Sequence, residues 1–265
     1  MKFSLVDGYR QEAQPGVYGT CPVCGEAMVA KCGEIKIPHW AHKGRRTCDP
    51  WWEPETEWHR AWKGHFPEGW QEVVHYADNG EKHIADVKTD RGWVIEFQRS
   101  YLNPEERRSR NAFYAKLVWV VDGTRRKRDS EQFRNALNGA TPIGSNARLR
   151  IHFPDECALL REWSGSNAPV FIDFGPGPTL WWILAEMPNG SVDVGAFARA
   201  DLIEVLREGD TPKAREFEGF VGSLRRVALG GEPRPVVQPP NQTNSQSLPD
   251  IRQHPMYPIR RRRRL

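Results

Sequence analysis

Residues 83–98 constrain the fold more than any other stretch of this chain. They begin His83-Ile84-Ala85-Asp86-Val87 and end Val94-Ile95-Glu96-Phe97-Gln98, and both segments alternate as strands do. Side chains two apart in a strand share a face and stand about 6–7 Å apart. Glu96 and Gln98 therefore point one way, while Trp93, Ile95 and Phe97 point the other, toward a core. With Asp86 on the neighbouring strand, two carboxylates converge on a hard, all-oxygen site suited to Mg²⁺ or Mn²⁺. Such a site is fit to attack a phosphodiester. An ionised Glu96 inside the apolar frame Trp93-Val94-Ile95-Glu96-Phe97 needs a metal or a cation beside it. The competing reading is a pair of acids exposed at a sheet edge.

The flanking sequence predicts an α/β domain with a mixed sheet. A helix is expected over 54–64, with Pro54 in its first turn, where no amide hydrogen is needed. Strands follow near 71–77, 81–89 and 92–98. A second helix, 103–116, has Asn103 as N-cap and Pro104 at its first position, and the apolar run 117–121 reads as a buried strand. The order is αβββαβ. Residues 1–50, rich in Cys, His and Gly with little periodicity, suggest a small metal-stapled module. A C-terminal α+β extension has strands at 169–174 and 179–187, a turn at Pro188-Asn189-Gly190, a further short strand, and helices near 198–208 and 213–227. Trp181 and Trp182 in this region fit a core or interface better than a platform for stacking nucleic-acid bases. Past Gly231 the chain is Pro/Gln/Asn/Ser-rich, is expected to be disordered, and ends in the run Arg260 to Arg264. The expected domains are 1–50, 51–165, 166–231 and a basic tail, 232–265.

Five cysteines, three of them within a dozen residues, suit a metal site better than a disulfide framework. Cys21-x2-Cys24 and His39-x2-His42 make two close pairs able to chelate one tetrahedral Zn²⁺ and so fold a segment with little core. Cys48 is an alternative ligand and Cys32 a spare. Four protein ligands leave no open position, so this zinc is structural. The N-terminus lacks a signal-peptide apolar core and no run approaches the roughly 20 residues of a membrane span, so a cytoplasmic location is expected. The net charge of +4 is local: residues 233–265 carry +6 and the remaining chain −2. Attraction to nucleic acid is concentrated in that tail and in Arg125-Arg126-Lys127-Arg128.

From about residue 21 to residue 122 the chain resembles the CoiA-like competence-protein family, whose nuclease domain belongs to the PD-(D/E)xK superfamily. The matching stretches are Cys21-Pro22-Val23-Cys24, His39-Trp40-Ala41-His42, Glu55-Thr56-x-x-His59-x-x-x-Lys63, Asp86, Glu96-Phe97-Gln98-x-Ser100 and Arg110-x-x-x-Tyr114. The resemblance implies a restriction-endonuclease-like core and metal-dependent cleavage of single- or double-stranded DNA, in DNA uptake and recombination or in defence, with a possible protein partner from those processes. Asp86 and Glu96 would hold the catalytic Mg²⁺ or Mn²⁺. Glu55, on one helical stripe with His59 and Lys63, is chosen over Glu57 as the helix carboxylate aimed at the metal, and His59 would bind a metal-bound water or a phosphate. Gln98 stands where the superfamily has a lysine; it would orient the attacking water, with Lys63 or Lys88 supplying the cation. Arg110 and Tyr114, one helical turn apart, would act together on substrate. The rival reading is a non-catalytic DNA-binding or recombination adaptor on a nuclease-like scaffold.

Overall fold

The computed structural model describes residues 1–44, 49–51, 53–77, 80–144 and 147–228. Cys48 and the tail with Arg260 to Arg264 lie outside the described residues. The protein is mixed α/β, with six α-helices among the described residues, none long and apolar enough to cross a membrane. It forms two compact units, Met1–Val118 and the chain from Trp119 on. That division falls inside a strand, away from the composition shifts near 50 and 165.

The first unit opens with an antiparallel sheet that the sequence pattern did not announce. β1 (Phe3–Val6), β2 (Tyr9–Glu12), β3 (Tyr18–Thr20), β4 (Ala27–Lys31) and β5 (His39–His42) lie in the order β2-β1-β3-β4-β5. Asp7 and Gly8 turn β1 into β2 with φ of +51° and +84°, the paired positive angles of a two-residue hairpin whose twist matches its strands. Met28 and Trp40 bury themselves on one face of this sheet with Met1, Ala13, Cys21 and Val23.

Next comes α1 (Glu57–Lys63), capped by Thr56, whose side chain accepts a hydrogen bond from the His59 amide. The helix therefore starts three residues later than the sequence pattern predicts, and both Pro54 and Glu55 lie ahead of it. Trp62 stacks on Phe97 at 5.7 Å between ring centroids, which fixes α1 against the strands. β6 (Gln71–Tyr76), β7 (Lys82–Lys88) and β8 (Val94–Gln98) form an antiparallel meander. All five residues of β8 are buried, so its Glu96 face is as enclosed as its Phe97 face. α2 (Pro104–Phe113) starts as expected, with Asn103 Oδ1 accepting from the Glu105 amide at 2.8 Å. It stops three residues short of the predicted end, and β9 (Leu117–Asp122) follows.

From Trp119 on, the second unit adds α3 (Asp129–Asn138), β10 (Thr141–Pro142), β11 (Arg148–Ile151), α4 (Ala158–Trp163), β12 (Val170–Asp173), β13 (Thr179–Glu186), β14 (Val192–Ala198), α5 (Arg199–Arg207) and α6 (Pro212–Ala228). Its strands run β10-β11-β14-β13-β12-β9, with β9 and β12 parallel and the rest antiparallel. Trp181 and Trp182 are buried, and Trp182 packs among Phe171, Phe197 and Phe217. They are core residues. Arg125 and Arg126 pair with Asp129 and Glu162, so half of the basic run is neutralised by its own fold.

Candidate active site

Within the first unit a cavity of about 50 Å³ opens between α1, the meander and α2, lined among others by Asp49, Glu53, Glu55, Glu72, Asp86 and Glu96. That is room for a few waters, or for an ion with water ligands. His59, Lys63 and Arg110 supply its basic side chains. Glu55, Asp86 and Glu96, singled out from the sequence, thus share one cavity.

Each acid is held differently. Asp86 Oδ2 accepts a hydrogen bond from the Phe97 amide at 3.0 Å, across the β7–β8 pair. Glu96 Oε2 lies 3.0 Å from Arg110 Nη1, while its Oε1 has no hydrogen-bond partner. Burial, then the neighbouring Asp86 carboxylate, push Glu96 up to about 8, against the pull of Arg110. Burial also raises Asp86, despite Lys63 and His59 nearby. Glu55, although outside the helix, still meets it: its Oε1 is 2.7 Å from Lys63 Nζ and 3.3 Å from Arg60 Nε. Its Oε2, too, is buried and unpartnered.

The other residues singled out from the sequence are engaged within the protein itself. Lys63 is buried between two acids, Glu55 and Glu72, the latter at 2.9 Å, and is not open to a substrate phosphate. Arg110 is enclosed too, donating to Glu96, Glu106 and the Trp51 carbonyl. Tyr114 is packed against Trp51, His75 and Phe113, and its hydroxyl is buried without a partner; burial raises its pKa. Both nitrogens of His59 are engaged inside the protein, Nδ1 with Thr56 Oγ1 at 2.8 Å and Nε2 with Glu53 Oε2 at 3.3 Å. Gln98 does not line the cavity; its amide nitrogen donates to Glu53 Oε1, Ser100 O and Ser100 Oγ. Lys88 lies against His75 Nδ1 at 2.9 Å.

Three acids escaped the sequence reading. Glu53 accepts from His59, Gln98 and the Arg99 and Ser100 amides. Burial would raise it, but these hydrogen bonds, His59 first, bring it below the usual carboxylate range. Asp49 accepts from His83 Nδ1 and the Ile84 amide, both at 3.0 Å. Glu72 accepts from Lys63 and from the Lys2 and Phe3 amides. Burial works against its ionisation, yet the Lys63 ammonium wins and holds it at about 2. Its φ of +48° is unusual for a residue with a Cβ, and these three donors hold it in place.

A second cluster lies in the N-terminal sheet. Cys21, Cys24 and His42 bring one ligand atom each within 4.8 Å of one another, and this group could hold a metal ion. Cys24 Sγ is 3.4 Å from His42 Nε2. The turn is made by Gly25, φ +75°, whose amide bonds back to the Cys21 carbonyl at 2.9 Å. His39, predicted as the fourth ligand, is not in the group. On β5 it is three residues from His42, so the two point to opposite faces, and the register agrees: His42 lies opposite Met28 but His39 opposite Lys31. His39 Nδ1 instead donates to the Ile37 carbonyl at 2.9 Å. The carboxylates of Glu55, Asp86 and Glu96 share their cavity without coming within that same spacing of one another.

Residues 18–50 match the family model of the competence protein CoiA, N-terminal domain. This part of the chain is therefore similar to a competence-protein module. It holds β3, β4, β5 and the Cys21/Cys24/His42 group; it includes Asp49 and ends before Glu53. No curated protein and no solved structure matches the chain.

Proposed function

We propose that this chain is a metal-dependent deoxyribonuclease of the CoiA-like, PD-(D/E)xK type, acting in DNA uptake, recombination or defence against foreign DNA. One observation carries the reading. Glu96 and Glu55 each leave a buried oxygen unpartnered at a cavity that Asp86 also lines. Leaving buried charge unpaired is costly, and the all-oxygen donor set fits Mg²⁺ or Mn²⁺. Such an ion, when bound, lowers the pKa of a coordinated water and offsets charge developing on the phosphate. The similarity of residues 18–50 to a competence-protein module supports DNA as the substrate.

The chain's own residues divide the remaining work. Asp86 and Glu96 hold the ion, with Glu55 completing the oxygen set. Arg110 orients Glu96 from behind and Lys63 orients Glu55, so both act on the acids and not on the substrate. The Cys21/Cys24/His42 group belongs to the same proposal as a structural zinc site that braces the N-terminal sheet.

The test is incubation with single- and double-stranded DNA in Mg²⁺ or Mn²⁺. Cleavage lost in Asp86→Ala and Glu96→Ala is the expected result. Intact DNA in every metal, together with retained DNA binding, would favour the adaptor instead.

A further inference from the structure

We propose that Glu53 is the positioning residue of this site, fixing both the ring of His59 and the orientation of the Gln98 amide. The consequence for catalysis rests on the nuclease reading; the arrangement itself does not. Glu53 stands in the irregular segment ahead of α1, and its two oxygens reach two separate elements. Oε2 lies 3.3 Å from His59 Nε2 on α1 and 3.3 Å from the Arg99 amide. Oε1 lies 3.3 Å from Gln98 Nε2, at the end of β8, and accepts from the Ser100 amide. Every one of these contacts is with a nitrogen. The two amides and the Gln98 NH₂ can only donate, so Glu53 acts as a pure acceptor, the role of an ionised carboxylate.

That requirement decides what its two side-chain partners can offer. His59 Nε2 must carry a proton to satisfy Glu53, while Nδ1 is taken up by the Thr56 hydroxyl at 2.8 Å. The ring then has no nitrogen to spare for metal or phosphate. It works as a strut between Glu53 and the helix cap. For Gln98, the NH₂ group has Glu53 on one side and Ser100 O at 3.2 Å on another. Both are acceptors, so the amide cannot flip without setting two oxygens against its own. The carbonyl Oε1 is thereby the end of Gln98 turned away from Glu53 and Ser100. Gln98 shares its strand face with Glu96, two residues before it. A Gln held this way keeps its acceptor end fixed on the strand face that carries Glu96, though outside the cavity lining. On the nuclease reading that acceptor would align a water by accepting a hydrogen bond from it, leaving a lone pair to attack.

Glu53→Gln, nearly isosteric, replaces half of the acceptor with a donor facing donors. Expected are a folded variant, KM for DNA within about threefold of the parent, and kcat lower by about a hundredfold, the scale of a misplaced reacting group. Glu53→Asp, which keeps the charge on a shorter arm, recovers part of the loss. Unchanged kcat in Glu53→Gln would overturn the proposal. Should Glu53→Gln fail to fold, the same kcat comparison is made with Glu53→Asp, where an unchanged kcat again counts against it. A second measurement needs neither variant nor activity. In the intact chain, ¹⁵N-labelled His59 should show a proton held on Nε2, and the Gln98 side-chain amide protons should exchange with solvent more slowly than those of an exposed Gln. A ring with a bare Nε2, or fast amide exchange, sinks the assignment. If the intact chain cuts no DNA, the nuclease reading fails on its own, and the resonance data still decide for or against Glu53.

Discussion

The Arg110 guanidinium grips one oxygen of Glu96, Nη1 to Oε2 at 3.0 Å, and leaves the other, Oε1, buried without a hydrogen-bond partner. A carboxylate held from one side and orphaned on the other is half of a binding site. Its electrostatics follow from the same asymmetry, because a single guanidinium does not offset both burial and the adjacent Asp86 charge.

The first prediction concerns pH. In the folded chain Glu96 is pushed up to about 8, against an ordinary value of 4.5. Between those values the native state binds more protons than the unfolded one, so stability falls as pH rises through that window. Glu72 has the opposite sign: held at about 2, it contributes stability that is present above 4.5 and lost as pH falls toward 2, outside the window. In buffer free of divalent ions, Tm should decline from pH 6 to pH 8, and Glu96→Gln should flatten the decline. Mn²⁺ should raise Tm by mass action, more at pH 8 than at pH 6, because the ion competes with the Glu96 proton. Equal pH slopes in parent and variant would contradict this account.

Arg110 should be a stability residue before it is anything else. Its Nη2 also bonds the Trp51 carbonyl at 2.6 Å, so one planar group ties α2 to β8 and to the segment before α1. Above pH 8, where Glu96 is ionised, Arg110→Met strands a buried carboxylate and should cost about 3–5 kcal/mol in urea unfolding. Arg110→Lys should also destabilise, since a single ammonium cannot reproduce the fork. A loss below about 1 kcal/mol in Arg110→Met would mean that Glu96 is neutralised by other means.

How much of this was legible in the sequence depends on the distance between partners. Alternation placed β7 and β8, and the Asn103-Pro104 start placed α2, because those signals are local. Asp86 and Glu96 could be brought together because their strands are neighbours. Glu72 could not be found: its partners are Lys63 and the amides of Lys2 and Phe3, and a positive φ leaves no trace at a glutamate. Glu53 sits in a segment with no periodicity at all. The N-terminal strands were overlooked because they are three to five residues long, too short for alternation to stand out, although Asp7-Gly8 was a readable hairpin signal. Glu55 reached Lys63 from outside the helix, so the helical-stripe argument gave the right neighbour by the wrong geometry.

Thr56 links the helix cap to the site. Its hydroxyl oxygen accepts from the His59 amide and contacts His59 Nδ1. Thr56→Ala should therefore cost about 1 kcal/mol, as for a lost N-cap, with an added loss of activity as the His59 ring is freed. Thr56→Ser, which keeps the hydroxyl, should restore most of both. Recovery of stability without recovery of activity would separate the cap from the strut.

The last prediction separates the two histidines of the N-terminal module. Spacing alone makes His39 and His42 equivalent, but β5 turns them to opposite faces, and His42 alone joins Cys21 and Cys24. Co²⁺ loaded in place of zinc reports thiolate and imidazole ligation through its visible absorption. His39→Ala should bind Co²⁺ with the parent's spectrum and keep its Tm. His42→Ala should bind it weakly, with altered bands, and lose the stability that metal adds, since binding energy at a structural site is folding energy. Identical spectra for His42→Ala and the parent, with loss confined to His39→Ala, would reverse the assignment and require β5 to sit one residue out of its present register, because a single-residue slip is what exchanges the two faces of a strand.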